Sequence, residues 1–127
     1  IRSLYLDNQG MVKVENCTSA LFGFGKGVRQ GCILSPILFN AYGEYIIRRA
    51  CVGWEGGVTI GGTKITNLRY ADDTTLLAAS EIEMVNLLAR IENISLLLGL
   101  KVNHSKTKVM IVDRTNSLEL TGTLNLD

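Results

Sequence analysis

Apolar residues recur at helical spacing in a first stretch that opens with Ser35 and Pro36. Serine is a favoured N-cap, and proline suits the first helical position because its missing N–H is not needed there. Gly53 follows this stretch and is a residue at which the helix would end. The pattern predicts a helix from the Ser35 cap to the region before Gly53. Its recurring residues are Leu38, Tyr42, Tyr45 and Ile46.

A second, longer stretch has the same period. Ser80 and Glu83 match a capping box, in which each side chain accepts from the other residue's backbone amide. Gly99 is a natural residue to follow the helix end. We predict a helix between Ser80 and Gly99 whose apolar stripe packs into the core. The stripe consists of Met84, Leu88, Ile91, Ile94 and Leu98.

The remaining segments favour short strands and turns. Alternating apolar and polar residues, and glycine pairs between apolar runs, indicate strands and hairpins. Because strands do not alternate strictly with helices, the sequence predicts an α+β fold. The predicted elements are a helix end at 1–6, a strand at 11–15, an extended stretch at 19–30, hairpins at 57–66 and 67–79, a strand at 108–112 and a possible strand at 117–120.

Composition narrows the class of protein. The 127 residues are 46% hydrophobic, which allows a sizeable core. No apolar run is long enough to span a membrane, and residues 1–5 do not read as a signal peptide because they lack an apolar core and a cleavage site, so we expect an intracellular protein of nucleus or cytoplasm, not a secreted one. The three cysteines lack zinc-ligand spacing, so we expect them reduced and buried. The net charge of +1 shows no global basic excess, so any nucleic-acid-binding surface must be local.

The adjacent acids Asp72 and Asp73 lie between two apolar runs of the second predicted hairpin. Aspartate suits a turn, so a solvated turn is one interpretation. The flanking apolar residues favour a second interpretation, in which they pack the hairpin against a core and so hold the two carboxylates in a rigid position. Carboxylate oxygens are the ligands that Mg²⁺ prefers, and two-metal phosphoryl transfer requires clustered acids.

Three blocks, in order along the chain, resemble reverse transcriptases, most closely those of non-LTR (LINE-type) retrotransposons. Tyr70-Ala71-Asp72-Asp73 resembles the family's Tyr-x-Asp-Asp signature. The block from Gly27 to Asn40, which contains Arg29-Gln30-Gly31 and Ser35-Pro36, resembles the segment that leads into the family's palm helix. The block from Gly99 to Met110 resembles the segment that follows the catalytic hairpin. The resemblance covers roughly residues 1–112.

The resemblance implies a partial right-hand polymerase palm, a ferredoxin-like sheet with packed helices, plus a small part of the fingers. It divides the chain into fingers and palm strands (1–34), palm (35–114) and an incomplete C-terminal extension (115–127). The implied activity is RNA-directed DNA synthesis assisted by two Mg²⁺ ions, for which Mn²⁺ could substitute. The implied partners are an RNA template, a DNA primer and deoxynucleotide triphosphates, with no membrane and no small organic cofactor.

Site roles follow residue by residue from the same resemblance. Asp72 and Asp73 are implied to be catalytic metal ligands, and Lys106 to lie near the triphosphate. Arg29, Gln30 and Gly31, together with Tyr70, are implied to contact the incoming nucleotide or template. Two alternatives stay open: the glycine-rich block is only a turn before a helix, and Lys106 is, like its nearby competitors Lys101 and Lys108, a solvated surface lysine. His104 is expected on a loop surface.

One part of the family's pattern is missing. Reverse transcriptases need a further acidic strand upstream of the glycine-rich block, and Asp7 and Glu15, the only acids in residues 1–26, do not match it. We therefore expect residues 1–127 alone to be inactive as a polymerase. The alternatives are a non-catalytic relic that binds nucleic acid or protein, and a translated pseudogene fragment without function.

Overall fold

A computed structural model describes residues 1–113 of the chain. These residues form three helices and eight short strands, which confirms the predicted α+β class. All eight of these strands are only two to four residues long, and each pairs with a strand close in sequence. In chain order the elements are α1 (Arg2–Tyr5), β1 (Gln9–Gly10), β2 (Lys13–Val14), β3 (Cys17–Thr18), β4 (Phe22–Gly23), α2 (Leu34–Ala50), β5 (Val58–Ile60), β6 (Thr63–Ile65), β7 (Asn67–Tyr70), β8 (Asp73–Leu76) and α3 (Glu81–Leu97).

The strands of residues 1–113 pair into four separate two-stranded sheets, β1–β4, β2–β3, β5–β6 and β7–β8, all antiparallel. The predicted hairpins at 57–66 and 67–79 are confirmed by β5–β6 and β7–β8. The ferredoxin-like palm sheet and the division into fingers and palm stay predictions. A two-stranded sheet is marginal in water unless it packs on another element. The β7–β8 hairpin has such a support, because its Leu76 packs against the core between the helices.

The β5–β6 turn shows why glycine pairs predict hairpins. Ile60 pairs with Thr63, so Gly61 and Gly62 form a two-residue loop. Both glycines have positive φ, 57° and 82°, the combination that the type I′ turn requires and that side chains disfavour. The turn is therefore encoded locally.

The start of α2 differs from the prediction. The helix begins at Leu34 with Ile33 at its N-cap, so Ser35 lies inside the first turn and its assignment as the cap was wrong. The Ser35 hydroxyl donates to the carbonyl of Arg29 and lies 3.3 Å from the Tyr5 hydroxyl. Because tertiary partners engage that hydroxyl, it does not cap the helix.

The start of α3 matches the prediction in part. Ser80 is the N-cap, and its hydroxyl accepts from the Glu83 amide at 3.2 Å. The Glu83 carboxylate does not accept a hydrogen bond from the Ser80 amide. It accepts instead from the amides of Ala79, at 3.3 Å, and Gly57. The second half of the predicted capping box is thus replaced by a link between α3 and the segment that leads into β5.

The core of residues 1–113 lies between α2 and α3. Its buried members are Ile47 and Ala50 from α2 and Leu87 and Ile91 from α3. Leu87, which the predicted stripe left out, is fully buried. Four partly buried residues, Cys51, Trp54, Leu76 and Ile94, pack against this cluster.

Two of the residues that recur at helical spacing on α2, Tyr42 and Tyr45, are exposed, because the inner face of the helix is centred on Ile46, Ile47 and Ala50. Ile91 of the predicted α3 stripe is buried, and its other members are half-buried. Gly99, with a φ of 78°, follows the end of α3 as predicted.

Three further expectations are corrected. Residues 108–112 form no strand, and the stretch 19–30 contains only the two residues of β4. The three cysteines are free as expected, but Cys17 is exposed, and Cys32 and Cys51 are half-buried. The possible strand at 117–120 lies outside the described residues. Within residues 1–113, no helix combines the length and apolarity needed to cross a membrane.

Candidate functional site

The β7–β8 hairpin carries the acidic pair. Tyr70 pairs directly with Asp73, so Ala71 and Asp72 form the turn and Asp73 is the first residue of β8. The two carboxylates therefore come from different local settings, one on a turn and one on a strand. The turn holds Ala71 at a φ of 53°, in the left-handed region that residues with a side chain rarely adopt. Such backbone outliers are concentrated at functional sites.

The two faces of this hairpin have different surroundings. Residues directly opposite in an antiparallel pair share a face, and successive residues alternate between faces. Leu76 packs against the core, and Arg69, on the same face, pairs with Glu44 of α2. Tyr70 and Asp73 therefore lie on the opposite face, away from the helices, where Tyr70 is 85% exposed.

Both aspartates are available to a ligand from solvent. Asp72 and Asp73 are exposed, and neither carboxylate makes a hydrogen bond or ion pair within residues 1–113. In the same range, no group of three histidine, cysteine or acidic side chains is arranged to hold a metal ion. The structure thus presents two adjacent carboxylates that fit part of a divalent-metal site.

The predicted nucleotide-binding residues lie on the loop before α2. Arg29, Gln30 and Gly31 are exposed, and Gly31 has a φ of 79°. The Arg29 carbonyl accepts from the Cys32 amide at 3.3 Å and from the Ser35 hydroxyl. The loop backbone is anchored in this way, while the Arg29 and Gln30 side chains make no hydrogen bond within the described range, whether to the hairpin or elsewhere.

Cys32, at the end of that loop, is a residue that sequence analysis missed. The backbone amide of Leu34 lowers the pKa of the Cys32 thiol, burial partly offsets this, and the amide and hydroxyl of Ser35 and the Tyr5 hydroxyl lower it further. The cause is the start of a helix, where unpaired amides favour negative charge. The position of Cys32 just before a predicted helix is the signal that could have found it.

A groove of about 440 Å³ lies beside this loop. Its lining is mainly apolar and combines α1, the loop, α2 and a residue three positions beyond the end of α3. The lining residues are Tyr5, Gly27, Val28, Leu38, Phe39, Tyr42 and Leu100.

Lys106 lies on a compact turn after α3. Its amide donates to the Asn103 carbonyl at 3.1 Å, and the Thr107 amide donates to the same carbonyl at 3.0 Å. The Lys106 side chain is exposed and makes no ion pair within residues 1–113. His104 lies on the same turn, where its side chain is 37% exposed and its Nε2 contacts the Glu92 carboxylate of α3. Among the described residues, no hydrogen bond or ion pair brings Lys106, Asp72 and Arg29 together.

Comparisons with known proteins agree with the sequence motifs. A family model described as "Reverse transcriptase (RNA-dependent DNA polymerase)" matches residues 1–123. A protein of Popillia japonica named "Retrovirus-related Pol polyprotein from type-1 retrotransposable element R2" is 37% identical over 82 residues, which is 65% of this chain and 12% of the relative. A protein of the same name from Nasonia vitripennis is 42% identical over 67 residues, 53% of this chain and 6% of the relative. The chain thus matches only a small part of each relative's length.

Proposed function

The chain belongs to the reverse transcriptase family, and we propose that residues 1–113 form part of the catalytic region of an RNA-directed DNA polymerase of a non-LTR retrotransposon. The observation that carries the proposal is the β7–β8 hairpin, which presents the Asp73 carboxylate on the face turned away from the helices and Asp72 on the adjoining turn, both without a partner within residues 1–113. A core helix pair supports that hairpin through Leu76.

Asp72 and Asp73 would hold divalent metal, Mg²⁺ or Mn²⁺, through carboxylate oxygens. The bound metal would stabilise the charges on the attacking and leaving oxygens of phosphoryl transfer. Two ions bring four positive charges, so a complete site needs further acidic ligands beyond this pair. We propose that they come from outside residues 1–113, in keeping with the absence of a three-ligand cluster within that range.

The other side chains would bind and orient substrates. Arg29 supplies a guanidinium suited to a phosphate, and Gln30 an amide suited to a base edge. Gly31 leaves room for close approach of a nucleotide, since a side chain there would meet no described atom within 4 Å. Tyr70 offers an exposed ring for stacking on the same face as Asp73. Lys106 would offset the negative charge of the triphosphate.

The substrates under this proposal are deoxynucleotide triphosphates, an RNA template and a DNA primer. The test is primer extension on an RNA template by the longest natural protein that carries these residues. We expect Asp72→Asn and Asp73→Asn each to lower the rate more than about 100-fold, since even partners outside the ligand set of a metal site cost 10–100-fold. The matched control is Asp7→Asn, another exposed aspartate of the chain. Full activity of Asp72→Asn would refute the proposal.

Residues 1–127 alone test the need for further acidic ligands. We expect no Mg²⁺-dependent primer extension from residues 1–127. Primer extension by these residues that is lost in Asp72→Asn would contradict the need for further acidic ligands. The alternative function, a binding relic, predicts instead that the piece binds RNA with a steep salt dependence while the longer protein lacks activity.

A further inference from the structure

Beyond the acidic pair, one ion pair connects the β7–β8 hairpin to α2. The Arg69 guanidinium donates to a carboxylate oxygen of Glu44, 25 residues earlier in the chain. Arg69 immediately precedes Tyr70, so this contact lies near the turn that carries Asp72. Within residues 1–113 it is the only side-chain hydrogen bond or ion pair between this hairpin and a helix.

The geometry around Arg69 is close and directional. Its side chain is 25% exposed and lies against the backbone of α2, where a Cβ added to Gly43 would be 3.7 Å from the Arg69 Nη1 atom. Glu44 uses its other carboxylate oxygen to accept from Arg48 Nε, one helical turn later. Both oxygens of Glu44 are thus engaged, which orients the carboxylate toward the hairpin.

The hairpin needs such a contact near its turn. At its open end, Leu76 packs into the core and the Leu77 amide donates to the Thr66 carbonyl at 2.8 Å. These contacts hold the end farthest from the acidic turn. A two-stranded sheet has little stability by itself, so its turn end can tilt unless another contact restrains it.

We propose that Glu44 and Arg69 are positioning residues that fix the orientation of the Asp72–Asp73 turn relative to α2. The inference rests on the proposed function, because it assigns the ion pair a role in the same reaction. Neither side chain reaches the reacting atoms. Both act through the hairpin backbone, since Arg69 points to the helix face and the catalytic face is opposite.

Steady-state primer extension by the longest natural protein with these residues tests the proposal. We expect Glu44→Gln and Arg69→Gln each to lower kcat about 2- to 5-fold, because a partly exposed ion pair restrains the turn only weakly and a misplaced catalytic group reacts more slowly. Template–primer affinity and the thermal midpoint should stay near wild type, since exposed ion pairs add little stability. The double variant should be no worse than either single variant, because both remove the same interaction.

Two further variants separate positioning from a general defect. Arg49→Gln is the matched control, because Arg49 lies on α2 with Glu44 and, within residues 1–113, its guanidinium has Tyr45 as its one hydrogen-bond and ring partner. Arg69→Lys keeps the charge and should retain more activity than Arg69→Gln, which keeps the test informative if the glutamine variant folds poorly.

The possible results are distinct. Three results would each overturn the positioning role. The losses of kcat in Glu44→Gln and Arg69→Gln could add in the double variant, or they could be no larger than the loss in Arg49→Gln. They could also accompany a lowered thermal midpoint. Asp72→Asn is measured beside them. If it is inactive while the ion-pair variants match the control, only this inference fails. If it is fully active, the proposed function fails as well.

Discussion

Truncation of Leu87 to alanine tests the packing that supports the hairpin. Leu87 is fully buried between α2 and α3 and belongs to a cluster with Ile47, Ala50 and Ile91. Buried Leu→Ala changes cost about 2–5 kcal/mol, and the cost depends on how far the neighbours relax into the cavity. Because this cluster has only four buried members, its surroundings can partly collapse. We therefore expect a loss of about 2–3 kcal/mol of unfolding free energy.

The chain contains its own reporter for this measurement. Trp54 is the only tryptophan and packs against the same cluster, so its fluorescence follows loss of the core. Urea denaturation of residues 1–127 in dilute solution gives the unfolding free energy. With a slope of about 1–3 kcal/mol per M, the midpoint should fall by about 0.7–3 M. The matched control is Leu97→Ala on the same helix, where the side chain is 79% exposed and the expected change is within about 0.5 kcal/mol.

Equal midpoint shifts for the two leucine variants would refute this description of the core. A change in slope alone would mean that truncation altered the extent of the folded region, not the packing at Leu87. A shift confined to Leu87→Ala would support the α2–α3 interface as the platform on which the hairpin rests.

Three further predictions concern local features. Gly31→Ala should lower the free energy of unfolding by about 1 kcal/mol, because the φ of 79° disfavours a residue with a side chain. The cost is conformational and not steric, since a Cβ added at Gly31 would have no described atom within 4 Å. An unchanged midpoint in the same urea titration would contradict this. Ser80→Ala should cost about 1 kcal/mol by loss of the N-cap hydrogen bond, and a cost near zero would mean that water replaces it. Cys32 should be alkylated at lower pH than Cys17. The amide of Leu34 lowers the pKa of the Cys32 thiol, so its reactive thiolate forms at lower pH. Identical pH profiles of alkylation for the two cysteines, measured by mass spectrometry, would refute that cause.

Local signals predicted the elements that depend on near neighbours in sequence. Ser80 caps α3 because its hydroxyl reaches an amide only three residues later. Gly61 and Gly62 form the β5–β6 turn because their backbone alone can adopt its dihedral angles. The predicted strand at 108–112 failed since its apolar residues find no pairing strand within residues 1–113, and strand propensity depends on such pairing.

The position of α2 shows the limit of local signals. Ser35 has the right residue type for an N-cap, but its hydroxyl contacts Arg29 and, 30 residues earlier, Tyr5. The buried face of α2 is likewise set by contact with α3, which is why Tyr42 and Tyr45 are exposed although they recur at helical spacing. Helical period alone indicates a face only to within about one residue.

By itself, the sequence determined the family, the α+β class and the hairpin around Asp72 and Asp73, because motif order and turn residues are local properties of the chain. Only the tertiary structure decided that Leu87 is the centre of the core and that Glu44 contacts Arg69. Those relations join residues far apart in sequence, and they depend on how two helices and a hairpin pack. Many pairings are compatible with one pattern of polar and apolar positions, and packing selects among them.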